Sequence, residues 1–144
     1  MNQVTHDNDF YAWTQEQAHL LRTAQFHQID FAHIAEELED MGRSEKRELE
    51  SRLEVLIMRL LKWQFQPNLR SRSWQLTIKE QRLRLEKLLK ENPSLNSYLA
   101  DSLEKNYQLA IISAERETGL SSFPETCPYS LTEIFTIEFL PTGI

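Results

Sequence analysis

The sequence predicts an all-α protein, a single-domain antiparallel helical bundle with a long helical hairpin and an irregular C-terminal tail. Apolar residues recur at steps of three and four along most of the chain, which is the period of helices buried on one side. The 144 residues include only three glycines and five prolines, so turns are few and elements are long. The length fits one domain over residues 1–144, with a core at about 7–120 and the tail at 121–144 packed on it.

Two helices are predicted in the first third of the chain. Asp7 or Asp9 can accept the free amide protons at the start of the first helix, and Asp30 can do so for the second. The expected apolar positions of the first helix are Phe10, Trp13, Leu20, Leu21 and Ala24. Those of the second are Phe31, Ile34, Leu38 and Met41, which share one helical stripe.

The region around Gly42 leaves two structures open. Gly42 can interrupt the second helix, and Ser44 can then cap a renewed helix. The renewed stripe consists of Leu49, Leu53, Leu56, Leu60 and Trp63. Because the stripe from Ile34 to Trp63 is nearly continuous, Gly42 can equally be a kink in one long helix.

A helical hairpin is predicted around Pro67. Proline disfavours helical geometry at the residue before it, so the long helix should end near Gln66. The next helix should begin near Ser71 or Ser73 and end at Glu91. Its expected buried residues are Trp74, Ile78, Leu85 and Leu88. With so short a connector, the two helices should lie antiparallel.

The last third should contain one long helix, the tail and one short helix. Asn92 can cap the long helix with Pro93 in its first turn, and Gly119 suits the residue just past its end. Its stripe is Leu95, Leu99, Leu103, Tyr107, Ala110 and Ala114. The segment 121–129 has no helical period, and Ser130 with Glu133 forms a predicted capping box that opens the short helix.

The charge distribution gives the first candidates for a binding site. The net charge is −6 and the isoelectric point about 5.2, yet residues 59–90 are strongly basic between two acidic segments. Either the basic residues complement neighbouring acidic helices, or they bind an external anion or partner. The candidates for anion or partner binding are Lys62, Arg70, Arg72 and Arg82. Helical phase points Trp63 and Trp74 inward and the isoelectric point is acidic, and both observations argue against nucleic-acid binding.

A second candidate site lies in the acidic segment after Asp30. His33 is three residues before Glu36 and four before Glu37, so these side chains can share a helix face with Asp40 and hold a metal ion. A magnesium site of the nucleotide-hydrolase type would need a second acidic motif, for which only Asp101 and Glu104 offer a reversed counterpart. A solvated acidic face near a helix start is the competing interpretation.

Several segments together carry a resemblance to a known family. In order they are "DFYAWTQEQAHLLR", "IAEELEDMGRSEKRELESRL", "LLKWQFQP", "RSRSW", "TIKEQR", "NPSL" and "CPYSLTEI", between Asp9 and about Pro141. With these motifs the chain resembles the bacterial family called domain of unknown function 29. The resemblance implies a small all-helical protein in a bacterial cytoplasm. It implies no catalytic residue, because no activity is established for the family.

The function expected from the sequence is a non-enzymatic, cytoplasmic protein-interaction module without a cofactor. The single cysteine, Cys127, excludes an internal disulfide and suits a reducing compartment. We expect no signal peptide, since residues 1–9 lack a basic region followed by an apolar core, and no membrane span. The partner is an unidentified protein, and self-association is compatible with the amphipathic helices. The alternative is a metal-dependent nucleotide hydrolase or nucleic-acid binder that uses the basic hairpin with the acidic segment.

Overall fold

The computed structural model describes residues 3–142, which contain five α-helices and no strand. The helices are α1 (Phe10–Arg22), α2 (Phe31–Phe65), α3 (Arg72–Glu91), α4 (Leu95–Thr118) and α5 (Leu131–Phe135). Short 3-10 turns at Phe26–Gln28 and Pro67–Leu69 precede α2 and α3. The predicted all-α class is therefore confirmed.

The chain divides into two compact units, one ending at Ser44 and the other beginning at Glu45. We call them the N-terminal unit and the C-terminal unit. Helix α2 contributes residues to both units. The expectation of a single domain over residues 1–144 stays a prediction, since the division concerns compactness and not independent folding.

The N-terminal unit is built from α1 and the beginning of α2. Asp9 caps α1, because its side chain accepts a hydrogen bond of 3.1 Å from the amide of Ala12. Asp30 does the same for α2, with its Oδ1 atom 3.4 Å from the amide of His33. The buried residues between the two helices are Trp13, Gln17, Leu20 and Ile29. This small core fixes the residues around Asp30 beside α1.

Helix α2 is continuous through Gly42, so of the two structures left open by the sequence the break with a cap at Ser44 is excluded. A glycine inside a helix costs only about 1 kcal/mol relative to alanine. Nothing lies within 4 Å of the position where a Cβ atom would stand on Gly42, so no close contact requires a glycine there. The apolar stripe on either side outweighs the weak helix propensity of one glycine.

The predicted hairpin of α2 and α3 forms the centre of the C-terminal unit. Arg70 contacts Trp63 near the turn, and Gln81 contacts Arg52 farther from it, so the two helices run antiparallel. Ser71 caps α3 by accepting a hydrogen bond of 3.2 Å from the amide of Trp74. The core residues of these helices are Leu49, Leu53, Leu56, Ile57, Met58, Leu60, Leu61, Trp63, Ile78, Leu85 and Leu88.

Helix α4 completes the layer against which the hairpin packs, with Leu99, Tyr107, Ala110 and Ala114 in the core. Gly119 ends the helix at φ = 75°, a left-handed conformation that favours glycine, as its position in the sequence predicts. The predicted cap at Asn92 is wrong, because Asn92 closes α3. Both its backbone amide and its side-chain amide donate to the carbonyl of Leu88.

The C-terminal tail packs on the C-terminal unit and ends in α5. The hydroxyl of Tyr107 donates to the carbonyl of Pro124, and that of Tyr129 donates to Gln64 at 2.7 Å. Tyr129 and Ile134 belong to the core. The predicted capping box of Ser130 and Glu133 is present in both directions. The tail is thus an integral part of this unit's core.

Candidate functional site

A cluster of imidazoles and carboxylates lies in the N-terminal unit. His6 precedes α1 in a turn, and its side chain is only 14% exposed. Its Nδ1 atom lies 2.8 Å from Asp7 Oδ1, and its Nε2 atom lies 2.7 Å from Glu37 Oε1. Hydrogen bonds to Glu37 and then to Asp7 raise the pKa of His6 above its usual value. The charged imidazolium is the form that donates to both carboxylates.

The second imidazole of this cluster belongs to His33 on α2. Its Nδ1 atom lies 2.6 Å from Asp30 Oδ2, which also accepts a hydrogen bond of 3.1 Å from the indole of Trp13. The hydrogen bond with His33 is the main reason why the pKa of Asp30 is lowered. The rings of His6 and His33 stack with centroids 4.2 Å apart and an angle of 3° between their planes.

The four predicted metal-ligating residues are distributed differently from the expectation. His33 and Glu37 belong to the cluster, whereas Asp40 pairs with Arg43 and Glu36 is exposed. Over residues 3–142, the side chains that bring three potential ligand atoms together are His6, Asp7 and His33, within 4.8 Å of one another. Sequence spacing along α2 could not reveal His6 and Asp7, because only the packing of the N-terminal segment against α2 brings them there.

The N-terminal unit also exposes a continuous apolar surface on α2. We call Phe31, Ile34, Leu38 and Met41 the α2 stripe. Phe31, Leu38 and Met41 are 60%, 62% and 64% exposed, although all four were expected in a buried face. A groove of about 180 Å³ runs beside them between α1 and α2. Its walls include Trp13, Leu21, Ile34 and Leu38.

Two basic residues of the hairpin formed by α2 and α3, Lys62 and Arg70, contact other groups of the protein itself. Lys62 Nζ lies 2.8 Å from Glu117 Oε2 on α4 and 4.8 Å from the centre of the Trp74 ring. Arg70 donates from Nε to the carbonyl of Trp63 at 2.7 Å, and its guanidinium lies 5.0 Å from the centre of that residue's ring. Of the four basic candidates, Arg72 is the one that is exposed. Pairing with an acidic helix therefore accounts for Lys62, whereas Arg70 contacts an uncharged residue of the protein itself.

Arg82 is a structural residue and not an accessible anion-binding group. It is 1% exposed, and its guanidinium donates to the carbonyls of Ile134 at 2.7 Å, Ile137 at 3.0 Å and Glu133 at 3.2 Å. Burial lowers the pKa of Arg82 to about 10. The side chain thus satisfies two carbonyls of α5 and one beyond its end, and it holds the tail on α3. The sequence could not show this role, because the charge alone marks Arg82 as a surface residue.

Cys127 lies in the tail in a structural environment. The thiol is half-buried and donates to the carbonyl of Tyr129 at 3.4 Å. Burial raises the pKa of the thiol, so the reactive thiolate is disfavoured at neutral pH. This environment suits a structural side chain and not an activated nucleophile.

These helices define an all-helical protein, and the described part of its N-terminal unit brings the ionisable side chains of His6, Asp7 and His33 together. The chain belongs to the family described as "Domain of unknown function DUF29", which it matches over residues 5–140. This match confirms the family resemblance inferred from the sequence motifs. Comparisons with curated proteins and with solved structures found no match. Among residues 3–142, no helix combines the length and apolar character required to cross a bilayer.

Proposed function

We propose that this protein is a non-enzymatic protein-interaction module and that the α2 stripe is its docking surface. The observation that carries the proposal is the exposure of Phe31, Leu38 and Met41 at helical spacing. Removing such residues from water contributes about 25 cal/mol per Å² of apolar surface. A helix with a complementary apolar face is the natural occupant, because the stripe follows the axis of α2 and a groove lies beside Ile34 and Leu38.

The charges beside the stripe specify a basic partner. Glu36, Glu39 and Asp40 are exposed on the same turns of α2, and one arginine, Arg43, pairs with the last two. A helix with lysines and arginines beside its apolar positions would complement this surface. Charge complementarity of this kind mainly sets partner choice and the rate of association.

Helix α3 has the required chemistry, so the proposed occupant is α3 of a second copy of this chain. Leu76 and Leu83 are 50% and 47% exposed at a spacing of seven residues, which places them on one face. They line a groove of about 560 Å³ together with three basic residues and one acidic residue, Lys79, Arg84, Lys87 and Glu80. Self-association through an acidic apolar stripe and a basic apolar helix face is the interaction these residues support best.

A charge exchange between two variants tests this proposal. Glu36→Lys/Glu39→Lys makes the stripe basic, and Lys79→Glu/Lys87→Glu makes the α3 face acidic. We expect the native chain to form dimers at low salt, and each variant alone to remain monomeric in sedimentation equilibrium. An equimolar mixture of the two variants should dimerise again, because each stripe then meets an α3 face of opposite charge.

The hydrophobic part of the contact has its own control. Leu38→Glu should abolish the dimer, whereas Leu109→Glu on α4, where the native leucine is 42% exposed, should leave the mass unchanged. A native chain that stays monomeric over the whole concentration range would overturn self-association. Dimers of unchanged affinity in Leu38→Glu would show that another surface mediates association.

The cytoplasmic location, the bacterial context and the alternative function stay predictions. A cytoplasmic location is supported by the single cysteine and by the reducing compartment that it suits. The bacterial context is implied by the family resemblance. A nucleotide hydrolase or nucleic-acid binder has less support, because Lys62, Arg70 and Arg82 are engaged within the protein. Thermal-shift measurements with nucleotides and divalent metals, and gel shifts at low salt, test that alternative.

A further inference from the structure

We propose that His6, Asp7 and His33 form a binding site for a divalent transition-metal ion of the zinc type. One ligand atom from each residue lies within 4.8 Å of the other two. Two imidazole nitrogens and one carboxylate oxygen are a common donor set for Zn²⁺, and they leave a fourth position for water or another ligand. Mg²⁺ and Ca²⁺ prefer oxygen donors, so the two imidazoles favour zinc over these ions.

The carboxylates behind the two imidazoles distinguish this cluster from a chance meeting of histidines. A metal-bound histidine usually donates its second N–H group to a carboxylate, which fixes the tautomer and orients the ring. Glu37 is the carboxylate that accepts from Nε2 of His6, and the other ring nitrogen, Nδ1, then faces Asp7. Asp30 accepts from Nδ1 of His33, which leaves Nε2 available to an ion. Each imidazole therefore has its own orienting carboxylate.

A buried tryptophan holds one of these carboxylates, that of Asp30, in place. The indole of Trp13 donates to Asp30 Oδ2 at 3.1 Å, and Trp13 is buried in the core of the N-terminal unit. Its ring meets His6 edge-on at 4.8 Å and His33 at 6.2 Å between centroids. The position of His33 thus depends on a buried tryptophan through one shared carboxylate. Trp13 also lies close enough to report a change at the imidazoles.

Metal binding requires a local rearrangement of the two rings. An ion bonded to both nitrogens must lie in both ring planes, and planes that differ by only 3° at 4.2 Å do not meet near the rings. One imidazole must therefore tilt, and bonds of about 2.0–2.2 Å must draw the three donors together. His6 and Asp7 lie in a turn before α1, so the side chains can move without disturbing a helix. The entering ion displaces the proton between His6 Nδ1 and Asp7.

Calorimetric titration of the full chain without a histidine tag tests the site. We expect one zinc ion per chain from zinc chloride and no saturable binding of magnesium chloride. His33→Gln should lose the saturable site, whereas His27→Gln, which changes an exposed histidine of the 3-10 turn, should bind as the native chain does. Glu37→Gln should weaken binding by about 10–100-fold, because it removes the carboxylate that orients His6.

Two spectroscopic measurements distinguish zinc binding at a specific site from zinc adsorption to the protein surface. Zinc should change the tryptophan fluorescence of the native chain, and Trp13→Phe should remove this response without abolishing binding. Cobalt(II) in the same site should give the strong visible absorption of tetrahedral coordination. Circular dichroism checks that His33→Gln is folded, and Asp7→Asn, at an exposed position, serves as the ligand variant if it is not. Absence of a stoichiometric zinc ion, or equal affinity in ligand and control variants, would overturn the proposal.

Discussion

The two halves of α2 carry the same apolar period but differ completely in burial. In the C-terminal unit, Leu53 and Leu56 are 0% exposed under α3, α4 and the tail. In the N-terminal unit, Leu38 and Met41 are 62% and 64% exposed. An apolar helical stripe therefore indicates a surface that is able to pack against another element. It does not show whether that element belongs to the same chain. The uncovered half is where we place the docking surface.

The largest expected contrast comes from truncating one leucine in each half. Leu56→Ala should lower the free energy of unfolding by about 2–5 kcal/mol, because it removes buried contacts and leaves a cavity. Leu38→Ala should change it by no more than about 0.5 kcal/mol in the monomer, since the side chain is already in water. Urea denaturation at low protein concentration measures both values. A large loss from Leu38→Ala under these conditions would contradict the exposed position of the stripe.

Arg82 holds the tail that covers the core of the C-terminal unit. Removing the Arg82 guanidinium should therefore expose part of this core. Arg82→Met should destabilise the protein by roughly 2–4 kcal/mol, because the carbonyls of Glu133, Ile134 and Ile137 lose their buried donor. Limited proteolysis should then cut the tail faster than in the native chain. Arg116→Met, at an exposed position of α4 outside the proposed contact, is the control and should leave both measurements nearly unchanged.

Two glycines provide a smaller test of helix continuity and helix termination. Gly42→Ala should stabilise the protein by about 0.5–1 kcal/mol, because Gly42 is helical and a Cβ atom meets nothing within 4 Å. Gly119→Ala should destabilise it by about 1 kcal/mol, because Gly119 has a φ of 75°. Thermal unfolding distinguishes the opposite signs. A destabilising Gly42→Ala would indicate that α2 is not helical at this position.

The smallest expected effect concerns the ion pair that connects α2 with α4. The hydrogen bond from Lys62 lowers the pKa of Glu117 in the folded state. The ion pair therefore contributes its full stabilisation above the pKa of glutamate in the unfolded chain, which is about 4.3. The contribution disappears as the pH falls through the lower pKa of the folded state. Glu117→Gln should cost about 0.5 kcal/mol at neutral pH, since Glu117 is partly exposed. Chemical denaturation at neutral and acidic pH should show this difference closing in acid; a constant difference would exclude the ion pair as its source.

Local signals in the sequence were sufficient for most helix boundaries. The cap at Asp9, the stop before Pro67, the glycine at Gly119 and the capping box at Ser130 each depend on neighbouring residues alone. The prediction at Asn92 was wrong, and the alternative with a cap at Ser44 was excluded, for a related reason. A residue that can cap a helix does so only where the backbone leaves the helical path, and this path also depends on contacts farther along the chain.

The amino-acid sequence by itself determined the all-α class, the hairpin at Pro67 and the family, because helical period and ordered motifs are properties of adjacent residues. Only the tertiary structure decided which half of α2 is covered, that Arg82 holds the tail, and that His6 and Asp7 meet His33. These contacts join residues from different elements. Their distances follow from how the helices pack and not from the spacing of residues along the chain.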